Sequence, residues 1–182
     1  MVLTKEESIA ALENEVRLVL HLLSKIEPSM LDYRPSPKQR SLIDLVRYFV
    51  IMAPVQLRFV VAGNFTMETW IEAWRPAEAA ARELSLEEVK AALAKQPALF
   101  AKMLGAVPDA DFRKEIEMFG NKATRGVWFI RLPLTHYAAY RMQLFLYLKA
   151  CGLDQLNTVN LWVGTDASAD PPPIFERAKG PS

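Results

Sequence analysis

One cysteine, two histidines and seven glycines are all that this chain of 182 residues holds of those types. Each scarcity removes a class of function. Cys151 has no second thiol, so no internal disulfide can form, which fits a reducing compartment. With only His21 and His136 available, no Ser-His-acid arrangement can be placed. So few glycines leave no glycine-rich phosphate loop. Neither charge sign dominates: 22 Lys and Arg against 21 Asp and Glu give a net charge of +1. Nucleic-acid binders usually carry a strong basic patch or stripe, so nucleic acid is not an expected partner. The longest apolar run, about Tyr48 to Leu57, is broken by Gln56 and ended by Arg58. It is too short to span a bilayer, and no membrane partner is expected. Thr4-Lys5-Glu6-Glu7 opens the chain without an apolar leader core behind a basic start. The expected location is cytoplasmic.

What is present is apolar periodicity. Residues of apolar type make up 51% of the chain, enough to exclude bulk disorder and to fill one core. The spacing predicts four long helices. The first covers Lys5 to Lys25, with Thr4 as N-cap and Glu7 in the capping-box position. Its inward stripe is Ile9, Leu12, Val16, Val19, Leu23 and Ile26. His21 falls opposite that stripe and reads as solvated. Pro28, Pro35 and Pro37 forbid helix in the link from Glu27 to Arg40. Ser41 and Asp44 then open a second helix that runs to Ala62 and ends at Gly63-Asn64, with a bend expected at Pro54. Leu45, Tyr48, Met52, Val55 and Phe59 form its inward stripe.

Residues 65–84 read as an irregular, partly helical connection carrying Trp70 and Trp74. Ser85 and Glu88 box the start of a third helix that reaches Leu104-Gly105 and is interrupted at Pro97. An irregular passage follows, with one extended piece around Phe112 to Phe119, and the basic residues near Lys122–Arg125 read as a solvated connection. The fourth helix runs from Thr124 to Cys151, closed by Gly152 and Leu153. Phe129, Leu132, His136, Tyr140, Gln143 and Tyr147 share one of its faces; Leu134, Ala138, Met142 and Phe145 make the opposite one apolar too. A helix apolar on both sides is central or half of a subunit interface. The expected fold class is therefore all-α, a four-helix bundle over residues 1–163, with a Pro-rich tail over 164–182 that includes Pro171-Pro172-Pro173.

Chemistry concentrates in Thr135–Gln143. Positions four apart lie on one helix face, so His136 and Tyr140 point the same way, with Gln143 a turn further. Three stretches in this order carry a family resemblance: Asp32-Tyr33-Arg34-Pro35 ahead of Ser41–Tyr48, then Thr135–Gln143, then Leu148–Leu153. Together they resemble the DinB/YfiT-like superfamily of bacterial four-helix bundles, over most of the chain. The resemblance implies a divalent metal held by three histidines, one on the second helix and two on the fourth. It also implies relatives that transfer low-molecular-weight thiols. The three ligand positions fall on Tyr48, His136 and Tyr140, so one imidazole remains.

A phenol binds metal well only as phenolate, and ionising one near pH 7 costs about 4 kcal/mol. Two such costs consume about 8 of the roughly 10–16 kcal/mol typical of structural zinc. No cofactor is therefore expected. A divalent zinc or nickel ion, or iron held by tyrosinate, is the alternative, with His136 as the one retained ligand. Without metal, Tyr48, His136, Tyr140 and Gln143 are expected to form a buried hydrogen-bonded cluster deep in the bundle, and these four are the candidate ligand-binding residues. No residue is assigned as catalytic. Three functions stay open: a catalytically silent member that binds a small molecule, a metal-dependent thiol S-transferase or hydrolase using His136, and a structural homodimer formed through the second apolar side of the last helix.

Overall fold

The computed structural model describes residues 4–166, so most of the expected tail, Pro171–Pro173 included, lies outside the described residues. Helix α1, Lys5–Leu23, begins where its sequence says it should. Thr4 Oγ1 accepts from the Glu7 amide at 3.1 Å and Glu7 Oε2 accepts from the Thr4 amide at 2.7 Å. Five of its six predicted stripe residues, Leu12 to Ile26, are buried. Helix α2, Leu42–Ala62, is capped by Ser41 and closed by Gly63 at φ 72°. At 21 residues it is long and apolar enough to cross a membrane, yet most of that apolar stretch is buried inside the bundle. Here the apolar face is spent on the core.

The connection expected to be irregular is a regular helix, α3, Met67–Arg82, capped by Thr66 and Thr69. Only Ala81 of its residues is fully buried, but Trp70, Trp74 and Ala77 share its face and pack against the core, a pattern that Pro76 masks in the sequence. Pro97 divides the next rod as expected, into α4, Leu86–Ala94, and α5, Gln96–Gly105. The single extended piece is instead a hairpin of β1, Glu115–Met118, and β2, Asn121–Thr124, with Met118 opposite Asn121. Phe119 and Gly120, at φ 52° and 72°, make the two-residue turn that matches strand twist. The last rod is composite: α6, Arg125–Phe129, a π-helical turn over Ile130–Leu134, and α7, Thr135–Ala150. Gly152 and Leu153 close it by bonding back to Lys149 and Leu148 at 3.0 and 3.2 Å. A further helix that the pattern did not suggest, α8, Thr158–Trp162, folds back against α1 and α7.

Around the bundle, α1 packs on α5, α5 on α2, α2 on α7 and α7 on α1, while α3 lies outside on α2. The all-α expectation holds. Two charged readings do not. Arg125 is buried, its Nε donating to Val60 O at 2.8 Å and its Nη1 to Asp111 O at 3.0 Å. It supplies donors at the open C-terminal end of α2. Gly63 permits this, since a Cβ there would stand 2.7 Å from Arg125 Nη2. His21 is not solvated either: its side chain is 13% exposed and meets Asn160 Nδ2 at 3.2 Å, because α8 covers it.

Candidate functional site

The placement of the site begins with Pro54. A proline within α2 has no N–H, so the Val50 carbonyl loses its helical partner. Gln96, buried at the first turn of α5, replaces it: Nε2 donates to Val50 O at 2.9 Å and to Phe49 O at 3.1 Å. The Tyr137 hydroxyl then donates to Gln96 Oε1. One amide thus ties α2, α5 and α7 together at the centre of the bundle, and Tyr137 is wholly buried. The innermost stripe of α7 is Tyr137, Arg141, Leu144 and Leu148. It lies one residue along from the stripe expected at His136.

Consequently Tyr48, His136, Tyr140 and Gln143 are half-buried on the flank of the α2–α7 seam, not deep in the core. The structure brings three of them into one row of rings. Tyr140 stands 4.8 Å from Tyr48 and 6.1 Å from His136, centroid to centroid. Trp74 of α3 covers Tyr48 at 5.6 Å, and Trp70 stacks on Trp74 at 5.5 Å. Of the expected mutual hydrogen-bond cluster only the Tyr48–Tyr140 pair is present, and His136 and Gln143 pair elsewhere. His136 Nδ1 pairs with the amide of Gln56, two residues past Pro54 on α2. Gln143 Nε2 donates to the Tyr147 hydroxyl at 2.8 Å, and that hydroxyl donates to Arg40 O at 3.2 Å.

Gln56 is the residue that sequence reading missed here. With its NH2 toward His136 Nδ1, the imidazole proton sits on Nε2, and Gln56 Oε1 is buried with no protein partner among the described residues. Rotating the amide exchanges the roles and leaves the NH2 unpartnered instead. The only sequence signal was its break in the apolar run of α2.

Burial disfavours charge on His136 and on Tyr48. Burial holds the His136 imidazole below its ordinary range. Burial first, and then the adjacent Tyr140 phenol, push the Tyr48 hydroxyl well above its ordinary range. A phenol so placed is a hydrogen-bond donor and a poor metal ligand. The Tyr140 ring also packs against both Tyr48 and His136, taking up space that an ion and its open position would need. Among the described residues no three His, Cys, Asp or Glu side chains gather where they could hold a metal. The donor set does not fit the divalent metal that the resemblance implies.

On its other side, Tyr48 lines a cleft of about 320 Å³ between α2 and the end of α3, shared with Arg40, Asp44, Arg47, Glu78 and Arg82. That volume is within the range of small-ligand sites. The Arg40 guanidinium lies 4.3 Å from the Tyr48 ring centre. Across the bundle, Arg141 is the largest fully buried side chain, at 1% exposed. It forks onto both carboxylate oxygens of Glu15 at 2.8 and 3.0 Å, donates to Leu161 O, and lies under Trp162. This is a structural clamp for α8. Burial keeps the Cys151 thiol protonated, as suits a packing residue.

No protein-family model matches the sequence, and no curated protein matches it. Among solved structures, the chain is similar to a DinB-like protein, YjoA, from Bacillus subtilis. The TM-score is 0.62 at 16% identity, over 82% of this chain and 94% of that one. A DinB-like protein from Bacillus cereus gives a TM-score of 0.64 at 18% identity, over 84% of this chain and 95% of that one. At such identities the likeness establishes the fold.

Proposed function

We propose that this chain, which has the DinB-like helical fold, binds a small molecule beside Tyr48 and has given up the metal chemistry associated with that fold. The observation that carries the reading is the ring row: Tyr140 packs against Tyr48 and leaves His136 to pair with Gln56. Two phenols and one imidazole are a poor exchange for three imidazoles, and the ring packing takes up the open coordination position that a catalytic ion needs. What Tyr48 retains is a protonated hydroxyl beside a cleft of ligand size.

The test is metal analysis of protein purified without a histidine tag. The expected result is far less than one zinc, nickel or iron per chain, and no change in melting temperature with chelator. Stoichiometric metal that disappears in His136→Ala would overturn the proposal and favour the S-transferase or hydrolase reading. A homodimer is a second reading, favoured by the exposed Leu146 and Met142, one turn apart on α7. Light scattering at high concentration checks it; a strict monomer removes it.

A further inference from the structure

We infer that the cleft between α2 and α3 selects a small monocarboxylate, whose anionic head is taken by Arg40 and whose apolar body lies along Tyr48 and Ile51. The inference rests on the small-molecule reading above and names the chemical class of the ligand.

Charge accounting comes first. Three guanidinia, Arg40, Arg47 and Arg82, face two carboxylates, Asp44 and Glu78, across a cleft of about 320 Å³. Arg47 is already committed, with Nε donating to Leu84 O at 2.8 Å and Nη1 lying 3.6 Å from Asp44. Arg82 sits 3.5 Å from Glu78. Arg40 meets no carboxylate within 4.0 Å among the described residues, although its guanidinium lies over the Tyr48 ring. One positive charge is left over. It matches a single negative charge, and the two flanking carboxylates repel a dianion such as phosphate.

Arg40 is also held in place. Its carbonyl accepts from the Tyr147 hydroxyl at 3.2 Å, and Tyr147 is itself fixed by Gln143 at 2.8 Å. The next residue, Ser41, is the N-cap of α2, with its hydroxyl donating to Asp44 at 2.6 Å. Resting on an aromatic face restricts the guanidinium, and a planar fork then presents paired N–H groups matched to the two oxygens of a carboxylate. The first amides of α2 play no part, because Leu42 N donates to Tyr33 O, Ile43 N to Leu31 O and Asp44 N to Ser41 Oγ. The Tyr48 ring, rather than its hydroxyl, faces this guanidinium. Ile51 and Ala81 supply the apolar wall.

The probe is benzoate, with benzamide as its neutral counterpart and inorganic phosphate as the dianion control, followed by chemical-shift titration of the full chain. Benzoate is expected to shift the amides of Arg40–Ile51 and Glu78–Arg82 saturably, at millimolar affinity that weakens with added salt. Benzamide and phosphate should each bind at least about tenfold more weakly. Arg40→Gln, at an exposed position, should fold normally and weaken benzoate by about tenfold or more, with Arg40→Lys in between. Equal binding of benzoate and benzamide, tighter phosphate, or no response to benzoate at tens of millimolar would each overturn the assignment. Benzoate binding that survives Arg40→Gln but is lost in Tyr140→Phe would overturn it while leaving the small-molecule reading standing. Stoichiometric metal together with Arg40-dependent benzoate binding would do the reverse.

Discussion

Replacing Gln96 with leucine tests whether one buried amide sets the geometry of the site. The change keeps the size of the side chain but strips two groups of their partners. The Val50 carbonyl, freed by Pro54, loses its 2.9 Å donor. The Tyr137 hydroxyl, wholly buried, loses its acceptor. Phe49 O keeps its helical bond to the Ala53 amide, so it is not orphaned. At about 1–3 kcal/mol for each unsatisfied buried group, Gln96→Leu should cost roughly 2–6 kcal/mol. Equilibrium urea unfolding reads this as a lowered midpoint at unchanged slope. The second arm is sharper. Pro54→Ala gives position 54 an N–H directed at Val50 O, so it should recover about 1–3 kcal/mol in the Gln96→Leu background and less in the wild type. Tyr137→Phe should recover the other share. If Gln96→Leu costs under about 1 kcal/mol, or if Pro54→Ala is no more helpful in the mutant than in the wild type, the relay does not organise the α2–α7 seam.

Three further outcomes follow from the same coordinates. Arg141→Leu leaves Glu15 facing the core without its fork and should destabilise the chain by about 3–5 kcal/mol, whereas Arg141→Leu with Glu15→Leu should cost much less. Urea midpoints of the two variants decide it; equal losses would mean that the pair is not coupled. His136 has its folded pKa below the ordinary 6.5, so the unfolded chain binds the proton first; the stabilisation is full above about 6.5 and is lost as pH falls below it through the folded pKa. Stability against pH between about 7 and 5 should therefore slope less in His136→Gln than in the wild type, and identical slopes would refute a neutral, buried imidazole. Finally, Tyr48→His with Tyr140→His should create zinc affinity measurable by calorimetry, because the two rings lie 4.8 Å apart on adjacent helices. No gain in binding would mean that these positions cannot converge on one ion.

The likeness to DinB-like structures shows how far local signals reach. Thr4 with Glu7, Ser41, Ser85 with Glu88, Gly63 and Gly152 each marked a helix boundary, because caps are satisfied by residues three or four positions away. The stretch that became α3 hid because Pro76 interrupts it and its apolar face, Trp70, Trp74, Ala77 and Ala81, is built largely from alanine, although Thr66 and Thr69 were a readable start. The hairpin turn at Phe119-Gly120 was concealed by a bulky residue at positive φ, which Phe65 and Trp70 compensate by packing on its ring at 4.3 and 5.3 Å.

From its sequence alone the chain is an all-helical bundle with one imidazole and two phenols at the three positions of interest. The bundle depends on residue types and short-range periodicity, which the linear order contains, and the three positions are what the family resemblance implies. The sequence does not contain the choice of partner. Gln56 takes His136, Gln96 takes Tyr137, Gln143 takes Tyr147 and Glu15 takes Arg141, and three of these four pairs join residues far apart in the chain. A proline that frees a carbonyl in one helix and a π-helical turn in another set the rotation of α7, and that rotation decides which side chains meet. The site moved from the centre of the bundle to its flank for that reason: polar groups in a core take whichever partner the packing of whole helices brings within about 3 Å.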